Sequence, residues 1–472
     1  MKVLLISPPT DNILRADYSD MFEEEGGTYP PIGLMYIAAY LQQYTDHSVE
    51  ILDARAEGIS YDGIKKEVEK RCPDIVGITT LTFTLLDVLE VAKGIKQVNE
   101  RIHVNLGGPH PYIYPNETIK YPYIDSLTIG EGEIIFTELV KALSSHIPLS
   151  TVKGIVYKEG DNIIITEPRE LIKDLDSLPH PARRLTDYKK YTSVLAKDAV
   201  ITTMMTSRGC PYHCIYCHRP HLGKEFRARS AENVVDEMIM CVNLGINGFV
   251  LFDDTFTVDK KRVFDVCNNI IKKGLKIRWS IRARANHVDY EMLKKLKQAG
   301  CLWIQYGIEA GTEEILHNLR KGITIDEAMQ AIRLSKQAGL ITMADFMIGS
   351  PCETKENILK TIEFAVNLDP DYAQFTITTP YPATELYELA IKQGLAREDY
   401  WRNFASNPQK GFLPPVWNEN LSRDELEGLL RLAYSRFYRR LGYVFRQVLK
   451  IRSFGEFKRK AAAGLKVLGF KS

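Results

Sequence analysis

Residues 210–217 read Cys-Pro-Tyr-His-Cys-Ile-Tyr-Cys, and this stretch determines how the rest of the chain is interpreted. Its three thiols belong to Cys210, Cys214 and Cys217, which are close enough in sequence to bind three corners of one iron–sulfur cubane. The fourth iron would then lack a protein ligand, and catalysis at a metal centre requires such an open position. The spacing therefore predicts a [4Fe–4S] cluster with one reactive iron.

Two other interpretations of the cysteines stay open at this stage. His213 and His218 could complete a four-ligand zinc site, although structural zinc usually takes its ligands from two separated pairs. A packing role is the alternative for any single thiol. We interpret the five isolated cysteines in this way: Cys72, Cys241, Cys267, Cys301 and Cys352.

The region from 196 to 410 alternates six apolar runs with helical patterns, several of which end in Ala-Gly or Gly. This order predicts a partial (β/α)6 TIM-like barrel, in which chemistry gathers where the strands end. The cysteine triplet follows the first run and therefore lies at the catalytic end. The predicted strands are Thr202–Ser207, Gly248–Asp253, Lys276–Arg282, Leu302–Glu309, Thr342–Gly349 and Tyr372–Thr379.

Residues 1–145 show another α/β pattern. Five apolar runs alternate with amphipathic stretches, which predicts a doubly wound, Rossmann-like parallel sheet with helices on both faces. The ligand of such a domain binds at the carboxyl edge of the strands. Residues 146–195 are interpreted as a linker with a hairpin at 159–162. The predicted strands are Lys2–Ser7, Val49–Asp53, Ile75–Thr80, His103–Gly107 and Ser126–Ile129.

The composition is that of a globular protein with several domains. The chain has 472 residues, of which 45% are hydrophobic and 26% charged, and it is too long for one core. A net charge of +1 gives no reason to expect a nucleic-acid partner. We find neither a run of ~20 apolar residues that could span a bilayer nor a signal peptide. We therefore expect a cytoplasmic protein with reduced thiols.

The C-terminal region, 411–472, is expected to be helical and basic. From Arg436 to Ser472, eleven lysines and arginines stand against one acid, Glu456. Residues 437–452 place apolar side chains on one helical face and cations on the other. Such a segment suits peripheral contact with the inner face of an anionic membrane, and this contact would favour a lipid or other apolar substrate. A terminal helix packed on the barrel is the equal alternative.

The triplet, with Tyr216 before its last cysteine and a six-unit barrel after it, resembles the radical S-adenosylmethionine superfamily over roughly residues 196–410. The resemblance implies that the amino and carboxylate groups of S-adenosylmethionine chelate the unique iron. An electron from the cluster would then split the sulfonium into methionine and a 5′-deoxyadenosyl radical. A reductant such as flavodoxin or ferredoxin would supply that electron.

The resemblance also implies that polar residues at later strand ends hold S-adenosylmethionine. Asp253 and Asp254 follow the second strand and could bind its amino group. Arg282 or Arg284, at the end of the third strand, could pair with its carboxylate. Glu309 ends the fourth strand and could accept hydrogen bonds from the ribose hydroxyls. A structural salt bridge across the barrel mouth is an equal alternative for any one of these side chains.

The N-terminal region resembles the cobalamin-binding members of this superfamily in three segments. These are residues 29–41 (YPPIGLMYIAAYL), 106–110 (LGGPH) and 129–133 (IGEGE). Glycines after strands let a large flat ligand approach the backbone, and threonines there could bind its nucleotide tail. Glycines at strand ends also simply turn the chain in many α/β domains. The implied cobalamin residues are Thr79, Thr80, Gly107, Gly108, Gly130 and Gly132.

One segment departs from the cobalamin domains that place a histidine ligand to cobalt in Asp-x-His-x-x-Gly. Residues 53–58 read Asp-Ala-Arg-Ala-Glu-Gly here. Arg55 stays protonated and has no lone pair for cobalt. The lower face of the corrin would then be open or held by water or another residue, and His110 is a less favoured substitute ligand. A domain that has lost its cofactor is the other alternative.

Together these resemblances imply a cobalamin-dependent radical methyltransferase. The deoxyadenosyl radical would abstract hydrogen from an unactivated carbon, which no protein side chain does. The substrate radical would take a methyl group from methylcobalamin, which a second S-adenosylmethionine re-methylates. The alternatives are a radical oxidative cyclase or ring-rearranging enzyme resembling the anaerobic cyclase of bacteriochlorophyll synthesis, a non-catalytic cobalamin or redox sensor, and a zinc-held nucleic-acid module.

Overall fold

The N-terminal sheet uses the aliphatic runs near the start of the chain. The computed structural model describes residues 1–14, 27–193, 199–218, 223–396 and 398–449. The strands of this sheet are β1 (Lys2–Ser7), β2 (Ser48–Asp53), β3 (Ile75–Thr79), β4 (His103–Gly107), β5 (Ser126–Thr128), β6 (Ile155–Glu159) and β7 (Asn162–Ile165). Their order is β2-β1-β3-β4-β5-β6-β7, with the first five parallel and the last two antiparallel. The doubly wound prediction is confirmed.

Helices cover both faces of this sheet because alternate side chains of each buried strand pack on opposite sides. In β1, Leu4 and Ile6 enter one apolar cluster, whereas Val3 and Leu5 enter the other. The helices of this part are α1 (Ile32–Tyr44), α2 (Ala54–Glu57), α3 (Tyr61–Arg71), α4 (Leu85–Val98), α5 (Pro109–Ile113), α6 (Pro115–Thr118) and α7 (Gly132–Ser145).

The segment interpreted as a linker is folded onto both halves of the protein. Its predicted hairpin forms β6 and β7, which turn at Gly160 and extend the N-terminal sheet beyond residue 145. Further on, Arg183 is almost fully buried against the barrel, where it donates to Thr203 O over 2.9 Å and pairs with Glu237. The segment is therefore an integral part of the structure.

The second sheet is the predicted partial barrel of six parallel strands. They are β8 (Ile201–Met204), β9 (Gly248–Leu251), β10 (Arg278–Ala283), β11 (Cys301–Glu309), β12 (Ile341–Ile348) and β13 (Tyr372–Ile377), paired in chain order. The first strand ends earlier than predicted, at Met204. Instead, Ser207–Arg208 pairs antiparallel with Arg227–Ala228 and leads directly into the cysteine loop.

The remaining helices follow the barrel strands and the C-terminal region. They are α8 (Ala231–Asn243), α9 (Lys260–Lys272), α10 (Tyr290–Gln298), α11 (Glu313–Asn318), α12 (Ile325–Gln337), α13 (Lys355–Leu368), α14 (Glu385–Lys392), α15 (Tyr400–Ser406), α16 (Arg423–Tyr438) and α17 (Leu441–Leu449). Helix α12 illustrates their sequence signals, because it starts at a capping box of Thr324 and Glu327 and stops at Ala338-Gly339.

Helix α16 covers the free edge of the barrel sheet with two tyrosines. Tyr434 Oη accepts from Phe375 N at 3.1 Å and donates to Phe375 O at 2.9 Å. Tyr438 Oη repeats this pattern on Ala373, at 3.1 and 2.8 Å. The described part of the basic C-terminus therefore begins as a packed helix. The predicted basic segment beyond residue 449 lies outside the described residues, and within them no helix could cross a membrane.

The isolated cysteines divide into two groups. Cys241, Cys267 and Cys301 are buried as predicted, and burial raises the pKa of the Cys301 thiol to about 12. The packing prediction is wrong for Cys72 and Cys352, which are exposed. Both have a positive φ, 47° and 62°, and Cys72 caps the end of α3. Each of the two follows or precedes a proline and has a charged neighbour in sequence, which fits an exposed turn better than a packed position.

Candidate functional site

A cavity of about 260 Å³ lies at the carboxyl ends of the barrel strands. All three cysteines of the triplet line it. So do four of the five residues expected to hold S-adenosylmethionine, which are Asp254, Arg282, Arg284 and Glu309. Sequence reasoning missed further polar residues of the lining, including Gln305, Lys321 and Asp345. The structure thus brings the predicted chemistry to one place.

Backbone hydrogen bonds attach the cysteine loop to later segments of the chain. Ile215, 4% exposed, donates from its N to Leu319 O at 3.2 Å and accepts at its O from Leu386 N at 2.9 Å. At the entrance, Gly209 has a φ of 81°, and a Cβ there would lie 2.1 Å from Glu225 O. Only glycine fits this approach. The loop therefore presents Cys210 and Cys214 half-buried and Cys217 exposed.

The charge around the thiols suits a cluster that needs ionised cysteines. The guanidinium Nη1 of Arg284 lies 4.0 Å from Cys214 Sγ, and its Cζ lies 4.0 Å above the ring of Tyr212. A nearby cation favours a thiolate over a thiol. Within the described ranges, no three His, Cys, Asp or Glu side chains are grouped to hold a single metal ion. A cubane differs because each thiolate binds a different iron.

The two successive aspartates after β9 have different surroundings. Asp253 is fully buried and accepts from Thr206 N at 2.6 Å and Ser207 Oγ at 2.7 Å, as well as from the Thr206 hydroxyl. These contacts tie β9 to the segment that precedes the cysteines. Asp254 instead lines the cavity. The structure therefore does not bring Asp253 to the cavity, since consecutive side chains at a strand end point in different directions.

The two arginines after β10 also differ. Arg284 is 6% exposed and is engaged by Tyr212, Cys214 and Asn286, to which its Nε donates at 3.1 Å. Arg282 lines the cavity with its guanidinium 5.4 Å from the centre of the Phe252 ring. Arg282 is consequently the more accessible partner for a carboxylate entering the cavity.

Glu309 occupies a strained position at the end of β11. Its φ is 78°, and the pairing of β11 with β12 shifts register between Gly307 and Glu309. Its Oε1 lies 2.8 Å from Lys321 Nζ and accepts from Tyr216 Oη at 3.0 Å. Backbone strain of this kind persists where surrounding contacts enforce it, and it is frequent at functional sites. Through Tyr216, this ion pair is joined to the cysteine loop.

Asp345 on β12 supplies a buried acceptor to the cavity. Its Oδ2 accepts from Gln305 Nε2 at 2.8 Å, whereas its buried Oδ1 has no hydrogen-bond partner within the described residues. Burial raises the pKa of Asp345 to about 7, and the charge of Glu309 adds to this rise. A buried carboxyl oxygen of this kind requires a donor, which a bound ligand can provide.

The predicted cobalamin residues lie at the carboxyl edge of the N-terminal sheet. Thr79 and Gly107 are paired partners on β3 and β4, and Gly107 is paired with Thr128 of β5. The space beside Gly107 is open, since a Cβ there would meet only the Thr128 Cβ at 3.7 Å. Gly130, with a φ of 114°, has similar room. These residues thus lie along the carboxyl edge of the sheet, with space beside Gly107 and Gly130.

The other predicted cobalamin residues are also needed by the protein itself. A Cβ on Gly108 would lie 2.8 Å from Thr80 O, and one on Gly132 would lie 2.8 Å from Ile37 Cδ1. Thr80 is buried, and its hydroxyl donates to Ile78 O at 3.2 Å. Close chain packing is therefore sufficient to explain these three residues.

The position of the missing cobalt ligand is occupied by an ordinary helix start. Asp53 caps α2 by accepting from Ala56 N at 3.3 Å, and it accepts from Tyr191 Oη at 3.0 Å. Arg55 is exposed. His110 is fully buried beside Thr82, whose Oγ1 lies 3.0 Å from its Nδ1, and burial lowers the pKa of His110 to about 3. It is thus a neutral imidazole enclosed by protein.

Two family models match the two halves of the chain. The model of the radical SAM superfamily matches residues 204–365, and that of the B12 binding domain matches residues 18–140. The first covers the barrel from the end of β8 to α13 and includes the triplet. The second covers most of the N-terminal sheet and the edge just described.

Several known proteins are similar along most of this chain. An uncharacterized methyltransferase of Pyrococcus horikoshii is 37% identical over 458 residues, which is 96% of each chain. The anaerobic magnesium-protoporphyrin IX monomethyl ester cyclase of Cereibacter sphaeroides is 30% identical over 93% of this chain and 70% of its own. The structure of the radical S-adenosylmethionine methyltransferase TsrM of Kitasatospora setae shares the fold, with a TM-score of 0.69, 20% identity and coverage of 83% and 76%.

These matches decide between the interpretations of the triplet in favour of an iron–sulfur site. Both family models match this one chain, and the similarity to the relatives extends over the connector as well. The chain therefore belongs to the family of cobalamin-dependent radical S-adenosylmethionine methyltransferases, enzymes whose cofactors are a [4Fe–4S] cluster, S-adenosylmethionine and cobalamin.

Proposed function

We propose that this enzyme transfers a methyl group to an unactivated carbon of a lipid or other apolar metabolite. One observation carries the proposal. The triplet and four of the expected S-adenosylmethionine residues surround a single cavity in a chain whose other sheet offers an open carboxyl edge. When bound, the cluster supplies the electron that cleaves S-adenosylmethionine, and cobalamin supplies the methyl group.

In this proposal Cys210, Cys214 and Cys217 bind three irons of the cluster. Arg284 has a supporting part, since its guanidinium already lies beside Cys214 Sγ and stacks on Tyr212. A cation at this place stabilises the thiolates and the negatively charged cluster. This assignment replaces the expectation that Arg284 pairs with the carboxylate of S-adenosylmethionine.

S-adenosylmethionine is held by the remaining polar lining. Asp254 binds the amino group, and Arg282 pairs with the carboxylate. Glu309 accepts from the ribose through Oε2, because its Oε1 is already bound by Lys321 and Tyr216. Asp253 positions the segment before the cysteines through Thr206 and Ser207, without touching the cofactor.

Cobalamin lies on the carboxyl edge of the N-terminal sheet. Thr79, Gly107 and Gly130 face it directly, since these three residues of the edge are only half-buried. The other proposed contacts come from residues that also pack the chain: Thr80, Gly108 and Gly132. Position 55 carries an arginine, so no histidine there binds the metal. The enclosed His110 is not proposed as a ligand.

The cofactor assignment is tested on anaerobically purified protein reconstituted with iron and sulfide. The optical spectrum should show a broad iron–sulfur band together with corrin bands. After reduction with dithionite or a flavodoxin system, S-adenosylmethionine should yield 5′-deoxyadenosine. A chain that binds zinc without iron, or that releases no 5′-deoxyadenosine, contradicts the proposal and favours a sensor or structural role.

The mass of the product separates methyl transfer from cyclisation. A methyltransferase gives a product heavier by one methyl group, and the label of methyl-deuterated S-adenosylmethionine appears in it. An oxidative cyclase removes hydrogens or adds oxygen and leaves the label out. The 30% identity with a cyclase makes this second activity the specific competitor.

Contact with an anionic membrane surface is proposed from helix α17. Tyr443 and Arg446 fix its inner face, because Tyr443 Oη donates to Asp371 O at 3.0 Å and Arg446 lies 2.6 Å from Asp369. Its outer face exposes Leu441, Val444 and Phe445, with 88%, 45% and 65% of their surfaces accessible. Exposed apolar residues beside a segment of net charge +10 suit anionic headgroups.

Sedimentation with phosphatidylglycerol vesicles tests this contact. The protein should bind these vesicles and not phosphatidylcholine vesicles, and binding should weaken as salt rises. The double variant Leu441→Ser, Phe445→Ser should lower binding at least about 100-fold, because each buried apolar side chain contributes ~1.5 kcal/mol or more. Leu413→Ser is the matched control, since Leu413 is 67% exposed elsewhere. Equal binding by both variants contradicts the proposed surface.

A further inference from the structure

The two glutamates of the segment 129–133 are buried in ion pairs with the barrel. Glu131 Oε1 lies 2.7 Å from Arg208 Nη1, and Glu133 is paired with Arg208 Nη2. The three side chains are only 4–6% exposed. The residue between the glutamates, Gly132, begins helix α7. The segment that resembles a cobalamin motif is therefore bound to the barrel half of the protein by buried ion pairs.

Arg208 completes its surroundings with an aromatic ring of the N-terminal part. The guanidinium Cζ lies 5.4 Å from the centre of the Tyr36 ring, a cation–π arrangement. Tyr36 belongs to helix α1, and its hydroxyl donates to Met205 O at 3.3 Å. We call Tyr36, Glu131 and Glu133 the Arg208 socket. All three socket residues come from the N-terminal part, whereas Arg208 stands two residues before Cys210.

A second arginine reinforces the same contact. Arg227 lies opposite Arg208 in the two-residue antiparallel pair, and its Nη1 is 2.9 Å from Glu131 Oε2. Glu131 Oε2 also accepts from Ile172 N of the connector at 2.6 Å. One carboxylate therefore joins the N-terminal sheet, the connector and the strand pair that leads into the cysteine loop.

Burial of these charges makes the geometry specific. A buried ion pair adds little net stability over apolar packing, whereas removing one partner leaves a costly unpaired charge. Arginine with two carboxylates adopts a fixed planar arrangement. The contact therefore restricts how the cysteine loop can be oriented relative to the N-terminal part far more than it strengthens the fold.

We propose that the Arg208 socket is a positioning device, which sets the cysteine loop in register with the carboxyl edge of the N-terminal sheet. Gly130 lies on that edge, and Glu131 is the next residue in the chain. One peptide bond and the Glu131–Arg208 ion pair therefore connect the edge to the segment that leads into the cysteine loop. The inference rests on the proposed roles of the cysteines and of this edge. Glu131 and Glu133 are then positioning residues and not cofactor ligands.

The test uses holoenzyme carrying cluster and cobalamin, with Glu131→Gln as the main variant. Glu117→Gln is the matched control, because Glu117 also pairs across the two halves, 2.6 Å from Arg402, whose side chain is 55% exposed, and far from the cysteine loop in sequence. Two readouts do not require the methyl-accepting substrate. One is the magnetic coupling, by electron paramagnetic resonance, between the reduced cluster and cob(II)alamin. The other is the rate at which added S-adenosylmethionine methylates the reduced, enzyme-bound cobalamin.

Glu131→Gln should change the magnetic coupling and slow the methylation of bound cobalamin about 100-fold, a loss that a misplacement of 1 Å can cause. Its iron content and its 5′-deoxyadenosine formation should stay close to those of the parent. Glu117→Gln should change the methylation rate less than about 5-fold. Unchanged coupling in Glu131→Gln overturns the inference, and so does loss of iron, because the glutamate would then serve only to fold the loop.

Arg208→Lys guards against a general folding defect. It keeps the charge and loses the forked geometry, so its coupling should lie between those of the parent and Glu131→Gln. An Arg208→Lys variant that matches the parent in both readouts contradicts the positioning role. Failure of the parent itself to bind iron or cobalamin would refute the proposed function instead, so the two failures are distinguishable.

Discussion

Lys321 Nζ lies 2.8 Å from Oε1 of Glu309, the residue whose positive φ ends strand β11. The ion pair leaves no room for a side chain at position 307. A Cβ on Gly307 would lie 2.5 Å from Glu309 Oε1 and 3.0 Å from Lys321 Nζ. The strained backbone, the glycine and the lysine therefore form one unit whose purpose is to hold a carboxylate at the cavity wall.

Lys321→Met should leave that carboxylate unpaired in a largely buried place. We expect the free energy of unfolding to fall by about 3 kcal/mol and the affinity for S-adenosylmethionine to fall about 10-fold, measured by urea denaturation and by equilibrium dialysis. Lys360→Met is the control, since Lys360 forms an exposed pair with Glu356 at 2.8 Å. The control should lose less than about 1 kcal/mol. Equal losses in both variants would show that burial of the pair does not matter.

Replacing Cys210, Cys214 or Cys217 singly by alanine should abolish the [4Fe–4S] cluster. Each removes one of the three protein ligands, so iron and sulfide should fall from about four per chain to well under one after reconstitution. Cys72→Ser is the control, because Cys72 is an exposed free thiol. It should keep the parent's iron content. A full cluster in any of the three alanine variants contradicts the proposed ligand set.

Gly209→Ala should disrupt the cysteine loop, because its Cβ would lie 2.1 Å from the Glu225 carbonyl oxygen. We expect at least a 10-fold loss of reconstituted iron, since the loop cannot move without displacing Cys210. Gly245→Ala separates this clash from simple backbone strain. Gly245 has a similar φ of 84° with nothing within 4 Å of an added Cβ. Gly245→Ala should lower the free energy of unfolding by about 1 kcal/mol and leave the iron content unchanged.

Asp345 should make the stability of the ligand-free protein depend on pH. An unfolded aspartate titrates near 3.8, whereas burial raises the pKa of Asp345 to about 7 in the folded protein. Because the folded pKa is the higher one, this group favours the folded state below pH ~4 and the benefit is lost as pH rises through ~7. The loss is at most about 4 kcal/mol.

Urea denaturation at pH 5 and pH 8 measures this effect. Asp345→Asn should lose less stability than the parent between the two pH values, since it cannot ionise. Burial also raises the pKa of Glu353 to about 7, so part of the parent's pH dependence should persist in Asp345→Asn. Asp265→Asn is the control, because Asp265 is exposed and paired with Lys261. Parallel pH profiles for Asp345→Asn and the parent would contradict this prediction.

Much of the fold could be predicted because the barrel strands are mainly apolar runs with clear helix stops between them. Thr202–Ser207 was the least accurate prediction, since the run continues past Met204 while the chain already bends towards the cysteine loop. The cysteine triplet could be recognised from its spacing together with Tyr216 and the six-unit barrel that follows. The spacing of the three cysteines constrains the local geometry of their loop. The position of the loop after the first strand places it at the cavity.

The missed residues share a physical reason. Gln305 and Asp345 are single polar residues within strands, where they look like the exposed side of an alternating pattern. Lys321 lies in a charged turn that reads as solvent-facing. Glu131 and Glu133 stand at the start of helix α7 in a glycine-rich stretch of sequence, and nothing in their spacing reveals arginines 75 or more residues away. Long-range pairing of charges is invisible until the fold brings the two segments together.

Tyr434 and Tyr438 have a consequence for how this molecule can associate. The outermost strand of an open sheet is normally a template on which a foreign strand can add. Here two phenols already occupy the amide and carbonyl groups of Phe375 and Ala373 from the flank of a helix. The barrel sheet can therefore end at its sixth strand without offering this edge to a strand from a second copy of the chain.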